Sequence, residues 1–199
     1  SYVETYLEDE IRREAVVRNL VHFSRFLELA ALESGKLVSF RKLSQDIGIA
    51  HTTVSAYFQI LEDCLLVDRV DPLTESASRT KLVRSSRYLF FDLGVRRLAA
   101  GETPLQNHYQ GPVLGDWFEQ WVGQELIRGI RNLPGAKLRF WKDPDGPEVD
   151  WVLVHGSRWI PIEVKLTATP NQHDARHLKV MLAEYPDRCK KAYIVCTTP

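Results

Sequence analysis

The chain has 199 residues, 44% hydrophobic and 26% charged, with 26 basic side chains against 26 acidic ones. That is enough apolar material for one good core or two small ones, and it leaves no net field to draw in a polyanion. No apolar run approaches the ~18 residues of a membrane span and the start lacks a basic-then-apolar leader, so a soluble, cytoplasmic chain is expected. Cys64, Cys189 and Cys196 have no C-x-x-C spacing, which suits core thiols in a reducing compartment and argues against a zinc ribbon.

The sequence opens without Met directly in helix-forming residues, which reads as a piece of something longer. Val17, Leu20, Val21, Phe23, Phe26, Leu27 and Ala30 recur at helical spacing, with Gly35 as a stop. A short helix around Arg41 to Ile47 then meets Gly48, and a second begins near Thr52 or Thr53 with Val54, Tyr57, Phe58 and Leu61 on one face. This is the layout of a helix-turn-helix. "LLVDRV" and "TKLVRSSRYLFFD" read as two strands around a "DPLTESAS" loop, which would make the unit a winged helix.

In such a unit the second helix enters a major groove, where phosphate contacts need Lys or Arg. Here it has neither and carries Glu62 and Asp63, so a structural or protein-contact role suits it better. The run Arg79, Lys81, Arg84 and Arg87 on the expected wing is the nucleic-acid candidate, with a solvated strand face as the alternative. Polar residues 100 to 112, "AGETPLQNHYQGP", separate a domain of residues 1–100 from one of 111–199.

The second domain opens with a helix, "VLGDWFEQWVGQELIRGIRNL", whose apolar face includes Leu114, Phe118, Trp121, Val122, Leu126 and Ile130. "AKLRFWKD", "EVDWVLVHG" and "RWIPIEVK" follow as strands, "NQHDARHLKVMLAEYP" as a helix and "KKAYIVCT" as a last strand. The order predicts an α/β (α+β) fold with a mixed sheet flanked by helices.

Charges inside those apolar strands need a reason, because an unpaired buried charge is costly. Glu163 and Lys165 are two apart and point to one side of a strand, and Asp150 can lie beside them on its neighbour. Mg²⁺ or Mn²⁺ takes oxygen ligands and keeps several waters, which suits Asp150, Glu163 and the Val164 carbonyl. Lys165 is then placed to orient or activate an attacking water, and the chemistry indicated is metal-assisted hydrolysis of a phosphodiester.

D-x12-E-V-K behind a helical Glu resembles the PD-(D/E)XK nuclease superfamily, with Asp150, Glu163 and Lys165 on its core motif and Val149 where the motif's proline would stand. The resemblance implies a further helical carboxylate. Glu119 falls in the right place, with Glu125 the alternate. More widely, "TYLEDEI", the segment from "RFLELAALESGKLVSF" through "LEDCLLV", "TKLVRSSRYLFFDLGV" and "EVDWVL" with "PIEVK" resemble the uncharacterised domain that follows an AAA-type ATPase module in many prokaryotic proteins. That implies a winged helix-turn-helix, then a restriction-endonuclease-like sheet, an N-terminal ATPase partner and nucleic acid, most simply DNA. The chain has no G-x-x-x-x-G-K-[ST] of its own.

His173 and His177, four apart on the expected helix, lack the Glu of a zinc-protease motif and read as a solvated face. Trp117, Trp121, Trp141, Trp151 and Trp159 read as core and rim packing rather than base-stacking platforms. Two function classes remain: a Mg²⁺-dependent nuclease-like domain, or a non-catalytic nucleic-acid- or protein-binding module of the ATPase.

Overall fold

The computed structural model describes residues 19–74, 83, 85–102, 112–143 and 146–197. They divide into two compact units, residues 19–69 with 87–102, and the described parts of 70–86 with 112–197. The segment after residue 69 therefore groups with the second unit. No helix among the described residues is long and apolar enough to cross a membrane.

In the first unit α1 (Leu20–Leu32) starts at Asn19, whose side chain accepts the His22 N–H at 3.1 Å and so satisfies one open donor of the first turn. Its stripe is Phe23, Phe26, Leu27, Ala30 and Ala31. Val21, expected on that stripe, is 78% exposed. α2 (Phe40–Ile47) is capped by Ser39 and closes at Gly48, whose φ of 78° lies in the left-handed region that a glycine enters without strain. α3 (His51–Asp63) follows after a three-residue turn and buries Val54, Tyr57, Phe58, Ile60 and Leu61.

Aromatic rings fill the space between the helices: Phe26 meets Phe58 edge-on at 4.9 Å, and Phe58 stacks on Tyr88 at 4.0 Å. β1 (Val67–Val70) pairs with β2 (Arg87–Phe90), and α4 (Leu93–Ala99) starts at Asp92. The Ser34 hydroxyl bonds the Tyr88 carbonyl and the Phe90 N–H, tying the end of α1 to β2. Arg96 donates from Nε to the Ala31 carbonyl and pairs with Glu102, closing α1 from the other side.

The second strand is shorter than "TKLVRSSRYLFFD" suggests, and all four of its residues are buried. The burial follows from position. An antiparallel bridge joins Leu37 to Arg87, so β2 has neighbours on both edges.

The second unit is a mixed four-stranded sheet. α5 (Pro112–Ile130) precedes β3 (Ala136–Lys142), β4 (Glu148–His155) and β5 (Arg158–Val164), and α6 (Arg176–Glu184) crosses to β6 (Tyr193–Val195). The order is β3-β4-β5-β6, with the first two pairings antiparallel and the last parallel. Parallel pairing needs a long crossover, and α6 supplies it. Leu73 N–H reaches the Phe140 carbonyl at 2.7 Å, extending the sheet beyond β3.

Leu178 and Met181 of α6 pack with Trp141, Val152, Trp159 and Tyr185. Burial pushes the Cys189 thiol in this core up to about 11, against a small opposing pull from Arg188. Trp141, Trp151 and Trp159 are fully enclosed, as core packing requires, but Trp121 is 46% exposed. Val122 of the expected apolar face is buried, and so are the polar Gln120 and Gln124. α6 starts at Arg176, later than expected, because the side chains of Asn171 and Asp174 bond backbone N–H groups in the turn before it.

Candidate active site

β4 and β5 are paired from His155↔Arg158 to Trp151↔Ile162, and there the ladder stops although both strands continue. Beyond the last pair the Asp150 carboxylate takes the place of a backbone partner: its Oδ2 accepts the Val164 N–H at 2.8 Å. The next positions outward are Asp150 on β4 and Glu163 on β5, then Val149 and Val164. Alternation along each strand puts Glu148 with Asp150 and Glu163 with Lys165. Four charged side chains thus gather where the two strands part.

Glu163 is 6% exposed. One oxygen, Oε1, accepts from Lys165 Nζ at 2.7 Å, while Oε2 is buried without a hydrogen-bond partner. Burial pushes the Glu163 carboxyl above its ordinary range; the Lys165 hydrogen bond and charge pull back, and the Glu119 and Glu148 carboxylates push it further up. For Lys165 burial acts downward, yet the bond and charge of Glu163, with Asp150 and Asp174, outweigh it and hold the ammonium above its usual value.

Glu119 is half-buried on α5, and the Trp151 indole N–H donates to its carbonyl at 3.2 Å, anchoring that turn of the helix on β4. Glu125, the alternate carboxylate, is exposed and pairs with Arg128. Of the two, Glu119 is the one whose charge acts on Glu163.

Sequence reasoning passed over Glu148 and Asp174. Glu148 had a readable signal, since it stands two before Asp150 and therefore on the same side of the strand. It pairs with Lys142, and its backbone meets His177 Nδ1. Asp174 had none, because only the crossover brings it toward Lys165. His173 lies before α6 rather than on it, and the Arg176 guanidinium bonds both imidazoles. A cation at that position opposes a metal ion, in line with the reading of the pair as non-ligating.

The donor set fits a hard divalent cation. It consists of carboxylate and carbonyl oxygens, and the Glu163 Oε2 is an unsatisfied buried acceptor, which a cation would satisfy. Among the described residues no three His, Cys, Asp or Glu side chains converge on one point. An ion here would therefore rest on Asp150, Glu163 and the Val164 carbonyl, with solvent completing its shell, an arrangement that suits Mg²⁺ or Mn²⁺ better than an all-protein cage.

The nucleic-acid candidates fare differently. Arg79, Lys81 and Arg84 lie outside the described residues, and Arg87 is 4% exposed within β2, so it offers no phosphate contact. On α3, Ser55 and Gln59 are exposed, and Gln59 bonds Asp63 one turn on.

Family comparison also divides the chain into two parts. Residues 1–106 match the family described as "Domain of unknown function (DUF8612)", and the chain belongs to it. Residues 114–199 match "Domain of unknown function (DUF4143)". Among curated proteins the chain is similar to "Uncharacterized protein Mb2031c" of Mycobacterium bovis and "Uncharacterized protein Rv2008c" of Mycobacterium tuberculosis, each 25% identical over 170 residues. The match takes in 85% of this chain and spans 38% of the length of each relative. No solved structure matches the chain significantly.

Proposed function

We propose that the second unit carries a Mg²⁺- or Mn²⁺-dependent phosphodiester-hydrolysing site of the PD-(D/E)XK type, and that the first unit is a winged helix serving it. The observation that carries this reading is Glu163: a buried carboxylate with one oxygen unsatisfied, a lysine on the other, and further carboxylates close by. Such an arrangement destabilises the fold unless a cation completes it.

Asp150 and Glu163 would hold the ion with the Val164 carbonyl, and Asp150 is kept in register by the Val164 N–H. When bound, the ion stabilises the charge that builds on the attacked phosphate. Lys165, steered by Glu163, places a positive charge beside the scissile group and orients the attacking water. Glu119 adds a half-buried carboxylate positioned by the Trp151 bond to its backbone, suited to accept a proton from that water.

The proposed partners are nucleic acid, DNA in the first instance, and an AAA-type ATPase module. Both rest on the resemblance carried by the sequence motifs, since the family matched over residues 114–199 is a domain of unknown function.

A non-catalytic binding module is the second reading, favoured by the neutral chain and by an α3 without Lys or Arg. Calorimetry with Mg²⁺ and Mn²⁺, beside cleavage assays on single-stranded, duplex and branched DNA and on RNA, separates the two. Asp150→Ala and Glu163→Ala should abolish both ion binding and cleavage. Lys165→Ala should keep the ion and lower cleavage by about 100-fold or more. A wild type that binds nucleic acid but neither takes up a divalent ion nor cleaves would leave the binding module standing.

A further inference from the structure

The far end of the same sheet holds a cavity of about 440 Å³ that the hydrolytic reading does not use. It lies where β4 ends and β5 begins, bordered by the end of α5 and by the segment leading into β6. Its size falls within the range of small-molecule sites, roughly 300–1,000 Å³. Arg158 and Ile160 are five and three steps from Glu163 along β5, and Tyr193 pairs with Ile162, so alternation turns these lining residues to the side of the sheet opposite the Glu163 carboxylate.

The lining has two characters. Leu133, Ile160 and Tyr193 contribute apolar surface that is 47%, 37% and 51% exposed, an unusual concentration for residues of this kind. Around them stand Arg158, Arg188, Lys190 and Lys191, supplied by two separate segments, and the described lining includes no aspartate or glutamate. In a chain with equal numbers of acidic and basic residues, four cations and no acid at one cavity make a local positive field.

Two of the cations are fixed by the fold. The Arg188 guanidinium lies 4.5 Å over the Trp159 ring, and Lys190 Nζ donates to the Pro186 carbonyl at 2.8 Å. Arg158 and Lys191 are exposed at the rim.

We propose that this cavity binds a nucleotide unit, its base against Tyr193 and Ile160 and its phosphate among Arg158, Lys190 and Lys191. Several cations from two segments suit a phosphate dianion better than a single carboxylate, and an exposed aromatic ring beside them offers a stacking face for a planar base. The same chemistry is presented by a free mononucleotide and by a nucleotide within a single strand.

The test is calorimetry on the full chain with deoxyadenosine monophosphate, deoxyadenosine, inorganic phosphate and a deoxyadenosine hexamer. The monophosphate should bind more tightly than either the nucleoside or phosphate alone. Arg158→Glu with Lys191→Glu should weaken it at least about tenfold, and Tyr193→Ala about fivefold or more without changing phosphate binding. These substitutions are at exposed positions, and a thermal melt confirms that each variant is folded. Glu163→Gln should leave monophosphate binding unchanged, which keeps this site distinct from the proposed hydrolytic one.

A hexamer that displaces the monophosphate and binds more tightly identifies a strand as the source, and a hexamer that fails to compete identifies the free nucleotide. The proposal is overturned if neither ligand binds at millimolar concentration. It is equally overturned if the nucleoside binds as well as the monophosphate, or if the rim and Tyr193 variants bind it as wild type does.

Discussion

Glu163 links stability to function through one side chain. Its folded-state value lies above the ordinary 4.5, with burial as the main cause. The folded chain therefore holds that proton more readily than the unfolded chain does. The resulting stabilisation is fully present below 4.5 and is lost as pH rises through the folded value, so at neutral pH the ionised group costs stability. Lys165 offsets part of this cost, but about a third of its side chain remains in water, where its charge is screened. In chelator, Glu163→Gln is expected to melt above wild type at pH 7 to 8, with the difference closing as pH falls toward 4.5. Added Mg²⁺ should raise the wild type and leave the variant where it was. Melting curves over that pH range check both, and identical curves at pH 7 would mean that Lys165 balances the burial completely.

At the scale of elements the turns around α3 are the informative places. Gly48 sits at φ 78° with no atom within 4 Å of where a Cβ would be, so Gly48→Ala meets backbone strain alone. A loss of about 1 kcal/mol is expected. Leu65, just after α3, has φ 57° and is 76% exposed, so it carries the same strain with little packing in return. Leu65→Gly should therefore gain a few tenths to about 1 kcal/mol, unless the added freedom of the unfolded chain cancels the relief. Urea denaturation of the two variants measures both signs.

These elements also show where local sequence is a good guide. The helical period of Phe23, Phe26, Leu27 and Ala30 and the Gly48 boundary act within one or two turns, so α1 and α2 were legible to within a few residues. The start of α6 was not, because the Asn171 and Asp174 side chains compete for the backbone N–H groups that a longer helix would use.

For the whole molecule, zero net charge predicts weak sequence-independent attraction to DNA. Among the described residues Arg87 is buried, so of the proposed wing Arg79, Lys81 and Arg84 remain as candidates for phosphate contact. With three contacts the slope of log affinity against log salt should not exceed about 3 in magnitude. Replacing all three with Ala should flatten it, whereas changes at Thr53, Ser55 and Gln59 should leave it unaltered. Anisotropy titrations of labelled duplex between 50 and 200 mM salt, approximate bounds within which such slopes are read, decide it. A slope that survives the triple substitution would place the contacts elsewhere.

The sequence by itself determined the mixed α+β class, the order of elements in the second unit and the strand positions of Asp150 and Glu163 with Lys165 just beyond, because period, caps and alternation operate over neighbouring residues, while the helix Leu93–Ala99 went unread. Only the tertiary structure decided what surrounds those charges. The parting of β4 from β5 gives the Asp150 carboxylate its backbone partner, enclosure raises Glu163 and orphans its Oε2, and the crossover brings Asp174 toward Lys165. The burial of Arg87 belongs there too, since it follows from β2 having neighbours on both edges. Desolvation and long-range charge depend on every element packed around a group, and residues far apart in the chain supply them.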